Sequence, residues 1–73
     1  MLSFREAVGT RIRTLREKKG WTQYQLEDEA GVNTSDLSFI ENGRQNYCAE
    51  TMEKIIPAFG MSEREFYSGL IWE

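Results

Sequence analysis

Apolar residues recur along this chain at helical rather than strand spacing. Val8, Ile12 and Leu15 fall on one face of a first helix, Leu37 and Ile40 on one face of another, and Met52, Ile55, Ile56 and Phe59 on a third. Near the C-terminus, Phe66, Tyr67, Leu70 and Ile71 are assigned to a last helix. The polar residues between these faces mark where helices start and stop. Ser3 with Glu6, Thr22 with Gln25, and Ser62 with Glu65 have the spacing of a capping box, in which each side chain satisfies the other's backbone N–H. Trp21 and Leu26 flank the second box at the spacing of a hydrophobic staple. Asn33 supplies another cap, and Cys48 sits at the cap position of the fourth helix. Gly20, Gly31, Gly43 and Gly60 follow the helix ends, where a positive φ closes a helix cheaply. This punctuation predicts five helices, two of them a short pair at about 23–30 and 34–42 joined by a tight turn. With no strand alternation, repeat, low-complexity stretch or linker, the chain reads as one all-α domain, 1–73.

Composition narrows the function classes. Seventy-three residues bury a core too limited to enclose a sizeable catalytic cavity, and sharing surface with a second copy is a common remedy. Cys48 is the single cysteine, so neither an internal disulfide nor a cysteine zinc site is available, and a reducing cytoplasm fits best. No apolar run approaches a membrane span, and MLSFREAVG lacks the apolar core of a signal peptide; a soluble, unexported protein is expected. With no histidine, and twelve carboxylates that form no evident metal cluster, the chain argues against an enzyme and implies no cofactor or metal.

Charge is unevenly placed. Nine basic against twelve acidic residues make the chain acidic, at −3. Residues 1 to 20 nevertheless hold Arg5, Arg11, Arg13, Arg16, Lys18 and Lys19 against only Glu6 and Glu17. From Trp21 through Asn42 the order reverses: Glu27, Asp28, Glu29, Asp36 and Glu41, with no base. Any attraction to phosphate must then come from the first helix, from Arg44 and from helix N-termini. Glu27, Asp28 and Glu29 read as a solvated helix face turned away from such a partner.

Gly9, Ile12, Arg13, Arg16, Gly20, Thr22-Gln23, Leu26, Ala30-Gly31-Val32, Leu37-Ser38, Ile40-Glu41, Gly43-Arg44 and Ala58-Phe59-Gly60 stand in one register. In that register the chain resembles the lambda-repressor-like helix-turn-helix family, also called Cro/C1 or XRE, from about Gly9 to Ser62. The short length and the segment IENGRQN also resemble the single-domain controller proteins of restriction–modification systems. The resemblance implies a compact five-helix DNA-binding fold whose motif, about 22–42, places its second helix in the major groove. It further implies that Gln23 points its amide at a phosphate and braces a recognition-helix side chain, and that Arg16 and Glu41 form an internal ion pair, withholding Arg16 from DNA. Pro57 departs from the family pattern. It removes the bond to the Glu53 carbonyl, at about 3 kcal/mol in an uninterrupted helix, and predicts a kink or a restarted final turn.

Helical phase puts Thr34, Ser35, Ser38, Phe39 and Asn42 on the side of the recognition helix opposite Leu37 and Ile40. Thr34, Ser35, Ser38 and Phe39 are therefore the candidate base contacts. The hydroxyls can donate or accept one hydrogen bond each but cannot make a bidentate fork, and the Phe39 ring can meet a thymine methyl. Alternatively, Phe39 folds back into the core or against Tyr47. Asp36, in the first helical turn, complements the dipole or accepts from a cytosine amino group. Gln23, Arg11, Arg13, Asn42, Arg44 and Asn46 are the candidate phosphate contacts, with simple solvation the alternative for Arg11.

The C-terminal third, 59–73, carries more apolar area than one short helix buries. Phe59, Phe66, Tyr67, Leu70, Ile71 and Trp72 are expected to supply a two-fold interface, the alternative being completion of the monomer core. The expected function is a sequence-specific transcriptional regulator, a homodimer that binds an inverted repeat in double-stranded DNA. The competing reading keeps the fold as a protein-interaction module, antitoxin or anti-repressor, whose acidic motif binds a protein partner.

Overall fold

Among the described residues, four helices begin at a side-chain cap. In a computed structural model that describes residues 2–44 and 49–70, the chain forms α1 (Phe4–Lys18), α2 (Gln23–Ala30), α3 (Thr34–Glu41), α4 (Ala49–Ala58) and α5 (Glu63–Ser68). Ser3, Thr22 and Ser62 each accept from the backbone N–H three residues on, and Glu6, Gln25 and Glu65 accept in return, so three capping boxes are complete. Asn33 caps α3 by accepting from the Asp36 N–H at 2.9 Å. No strand occurs among the described residues. Cys48, expected to cap α4, lies outside them.

Gly31 has φ +75°, a value disfavoured for a residue with a Cβ, and there the chain leaves α2 and turns into α3. α1 lies tightly across α3, and Gly9 permits it. A Cβ at Gly9 would collide with the Ile40 carbonyl oxygen and stand 2.8 Å from that of Glu41, both backbone atoms that cannot step aside. The core gathers beneath this crossing: Val8 and Ile12 from α1, Leu26 from α2, Leu37 and Ile40 from α3, and Met52, Ile55 and Ile56 from α4. Trp21 packs on the edge of this cluster, its ring 6.0 Å from that of Phe59. The staple residue thus ties the start of the motif to the end of α4.

Three expectations need correction. Phe59 and Phe66 belong to the core, 5 % and 0 % exposed, so neither lies on an outer face for a second copy. α5 stops at Ser68, with Gly69 as its C-cap, so Leu70 follows the helix rather than riding on it, while Ile71 and Trp72 lie outside the described residues. Pro57 falls in the last turn of α4, and the helix runs through it to Ala58. The Glu53 carbonyl loses its helical donor there, and Gly60 and Phe59 close the turn by donating to the Pro57 and Ile56 carbonyls at 2.9 and 3.1 Å.

Candidate nucleic-acid interface

α3 has two unlike sides because its apolar residues recur at three-residue spacing. Leu37, Ile40 and Glu41 are buried. On the other side Thr34, Ser35, Ser38 and Phe39, together with Gln23 and Tyr24 from the start of α2, line an open depression of about 340 Å³. Phe39 is 50 % exposed, so its ring is turned outward and not folded into the core. Among the described residues, the side-chain hydroxyls of Thr34, Ser35 and Ser38 make no hydrogen bond within the protein. Asp36 does not join this lining. Its carboxylate accepts from the Asn33 side chain at 3.3 Å, which keeps its charge at the positive end of α3.

Behind the depression a single buried carboxylate gathers three side chains. Glu41, 3 % exposed, accepts from Arg16 Nε at 2.8 Å and Nη2 at 3.1 Å, and from Gln23 Nε2 at 3.2 Å. Arg16 also donates to the Trp21 carbonyl at 2.8 Å, which joins α1, the start of α2 and the end of α3. The paired hydrogen bonds to Glu41 push the Arg16 pKa up, opposing the effect of its burial. Arg16 is therefore an internal strut, each of its three nitrogens donating a hydrogen bond within the protein. Arg13 Nε stands 3.6 Å from the same carboxylate, and Arg13 Nη2 donates to Asn42 Oδ1 at 2.9 Å. The Arg13 side chain remains 44 % exposed, so it is oriented by these contacts without being consumed. Asn42 in turn donates to the Ser38 carbonyl at 2.8 Å and closes α3. One amide hydrogen of Gln23 goes to Glu41, and the other remains for a ligand in the depression.

Arg11 requires a different assignment from the expected phosphate contact. Its Nε donates to the Phe66 carbonyl at 3.2 Å and its Nη2 to the Glu65 carbonyl at 3.3 Å, with the guanidinium 5.7 Å from the Phe66 ring centroid. The last carbonyls of a helix lack intrahelical donors and carry partial negative charge, which a cation satisfies. Arg11 thus fastens the end of α5 to α1. Arg44 is exposed, and its backbone N–H donates to the Phe39 carbonyl at 3.0 Å, which sets it just past the recognition side of α3. Asn46 lies outside the described residues. Tyr67 and Leu70 pack partly buried against the core. Sequence reasoning missed Tyr24, which is 72 % exposed and shares the depression; its position beside Gln23 in the first turn of α2 was the available signal.

Two capped helices crossing under a third, with an unburied polar side on the second, define a helix-turn-helix unit. Residues 9–69 match the family model for a helix-turn-helix domain, and the chain belongs to that family, of the XRE type. It is 37 % identical over 60 residues to a competence pilus inhibition repressor of Acinetobacter baylyi, covering 82 % of this chain and 54 % of that protein. It is 34 % identical over 64 residues to an HTH-type transcriptional regulator of Sinorhizobium fredii, covering 88 % and 83 % respectively. This chain therefore spans about half the length of the first relative and most of the second. Among solved structures it resembles the restriction–modification controller protein C.Esp1396I, a tetramer in complex with its natural 35 base-pair operator. The TM-score is 0.82 at 26 % identity over 92 % of this chain and 90 % of that one.

Proposed function

We propose that this protein is a sequence-specific, non-enzymatic transcriptional regulator that acts in the cytoplasm as a homodimer, with α3 of each copy in the major groove of an inverted-repeat operator. The observation that carries this reading is the outer side of α3, where three uncommitted hydroxyls and an exposed ring face outward, with two exposed arginines, Arg13 and Arg44, at the C-terminal end of the helix. Thr34, Ser35, Ser38 and Phe39 contact base edges in this reading. Gln23, Arg13, Asn42 and Arg44 contact phosphates and fix the register.

Two copies are needed because each copy has one recognition helix, and successive major-groove faces lie about 34 Å apart, beyond the 31 Å longest extent of the described chain. With Phe59 and Phe66 in the core, the proposed contact surface contracts, among the described residues, to Tyr67 and Leu70. Repression by the Acinetobacter relative and operator binding by the C.Esp1396I tetramer agree with this function.

The acidic residues favour a second reading, in which exposed Asp28 and Glu29 bind a basic protein. Enrichment of duplexes from a random library, followed by gel shifts across a salt series, separates the two. A regulator retains an inverted repeat with salt-dependent affinity, whereas a protein-binding module enriches no sequence.

A further inference from the structure

The depression on the recognition face has a composition that the regulator reading alone does not explain. Its lining holds no charged group: Gln23 is the one amide, Thr34, Ser35 and Ser38 are the hydroxyls, and Tyr24 and Phe39 are the rings. None of the acids of α2 or α3 reaches it, and neither do Arg13 and Arg44, which stand outside it. Tyr24 and Phe39 are the two most exposed large apolar or aromatic side chains among the described residues, at 72 % and 50 %, and both open into this one space. Exposed rings on a surface meant for duplex DNA gain by covering apolar matter. The apolar group that projects from a base pair into the major groove is the pyrimidine 5-methyl.

We infer that Tyr24 and Phe39 wall a slot for the 5-methyl group of a pyrimidine, so that this protein reads the methyl and not the base that bears it. This rests on the DNA-binding reading above and deepens it. The hydroxyls explain the indifference to the base. A hydroxyl donates to the O4 of thymine or accepts from the N4 amino group of 5-methylcytosine by rotating about its C–O bond, whereas a fixed amide or guanidinium fork would accept only one of them. Thymine and 5-methylcytosine then satisfy the slot alike, and unmethylated cytosine and uracil leave the rings facing water.

The test starts from the duplex enriched by the intact protein. Each thymine is replaced in turn by deoxyuracil, and the critical pair is then rebuilt with cytosine or with 5-methylcytosine opposite guanine. At one position per half-site, deoxyuracil should weaken binding by about fourfold, the worth of one methyl-sized group at about 0.8 kcal/mol. Cytosine should lose as much, and 5-methylcytosine should recover it. F39A should bind thymine and deoxyuracil duplexes equally. Y24A should blunt the difference and Y24F should keep it, because the ring and not the phenol is invoked. Both side chains are exposed, and thermal melting of each variant verifies that the fold is retained. An enriched site at which every deoxyuracil replacement is silent, or an F39A variant that still distinguishes thymine from uracil, overturns the slot while leaving the regulator reading intact. Recovery with thymine but not with 5-methylcytosine overturns the indifference to the base. Failure to enrich any duplex overturns both readings together.

Discussion

The two sides of α3 make opposite use of polar chemistry. On the inner side, Glu41 is buried and both its oxygens accept hydrogen bonds, from Arg16 and Gln23, with Arg13 close by. On the outer side the lining is neutral, and the hydroxyls of Thr34, Ser35 and Ser38 make no hydrogen bond within the described residues. Charge here holds elements together and neutral groups are left to read a partner, which is how an acidic chain can still present a surface compatible with DNA. The strongest break in this comparison removes the inner charge. Glu41→Ala strands Arg16 and Arg16→Ala strands Glu41, and each should cost about 3–5 kcal/mol. A domain of this size would then melt at least 10 °C lower, at about 4–8 °C per kcal/mol. Differential scanning calorimetry without DNA reads this directly, and unchanged melting would overturn the structural role of the Arg16–Glu41 pair.

Helix boundaries were legible in the sequence because their signals are local. Ser3 and Glu6, Thr22 and Gln25, and Ser62 and Glu65 each lie within one turn, so the cap and its partner are visible together. Resemblance to a family named the pair of Arg16 and Glu41, which are 25 positions apart. Arg11 was not legible, because its partners are backbone carbonyls 54 and 55 positions away, and a carbonyl leaves no mark in a sequence. Phe59 and Phe66 show the other limit. Apolar character reports that a side chain seeks cover, not whether its own core or a second copy provides it.

Next in size is the spacing between the two elements that the inner network joins. Gly9→Ala places a methyl against the Ile40 and Glu41 carbonyls and should lower stability by about 1–3 kcal/mol, the usual cost of overpacking. The same variant should loosen Arg13 from Asn42, because Arg13 and Arg16 reach the end of α3 only while α1 stays close to it. Chemical denaturation gives the first effect, and a uniform weakening across DNA sequences gives the second.

The outer side should separate cleanly into groups that read and groups that position. Phe39→Ala should alter the ranking of sites by about 1–3 kcal/mol at particular base pairs, with little effect on melting, since the ring is half exposed. Arg44→Ala should instead weaken every sequence alike and lower the salt slope by about one unit. Binding titrations at several salt concentrations compare the two variants. A Phe39→Ala protein with an unchanged ranking would remove the ring from base reading and leave the hydroxyls alone in that role.

The smallest effect concerns the far end of α1, where a charge is fully exposed and still structural. The Glu6 pKa is lowered, first by the Ser3 backbone N–H that its carboxylate accepts at 2.9 Å and then by the Ser3 hydroxyl. A carboxylate with a depressed folded pKa contributes stability above its unfolded pKa and loses it as pH falls through the folded value. The loss should therefore set in below about pH 4.5 and deepen as Glu6 is protonated. Arg16, with a raised pKa, stays charged across this whole range. Acidification should thus fray the first turn of α1 by this route while Arg16 stays charged. Glu6→Gln retains an acceptor for the Ser3 N–H without the charge, and should flatten the acid dependence of amide exchange at the start of α1. It should leave exchange near Ile40 and Glu41 as it was. Gly43, where an added Cβ would run into the Glu6 side chain, should sense the change most among residues outside α1. Equal acid sensitivity in both proteins would mean that the capping box at Ser3 stands without the charge of Glu6.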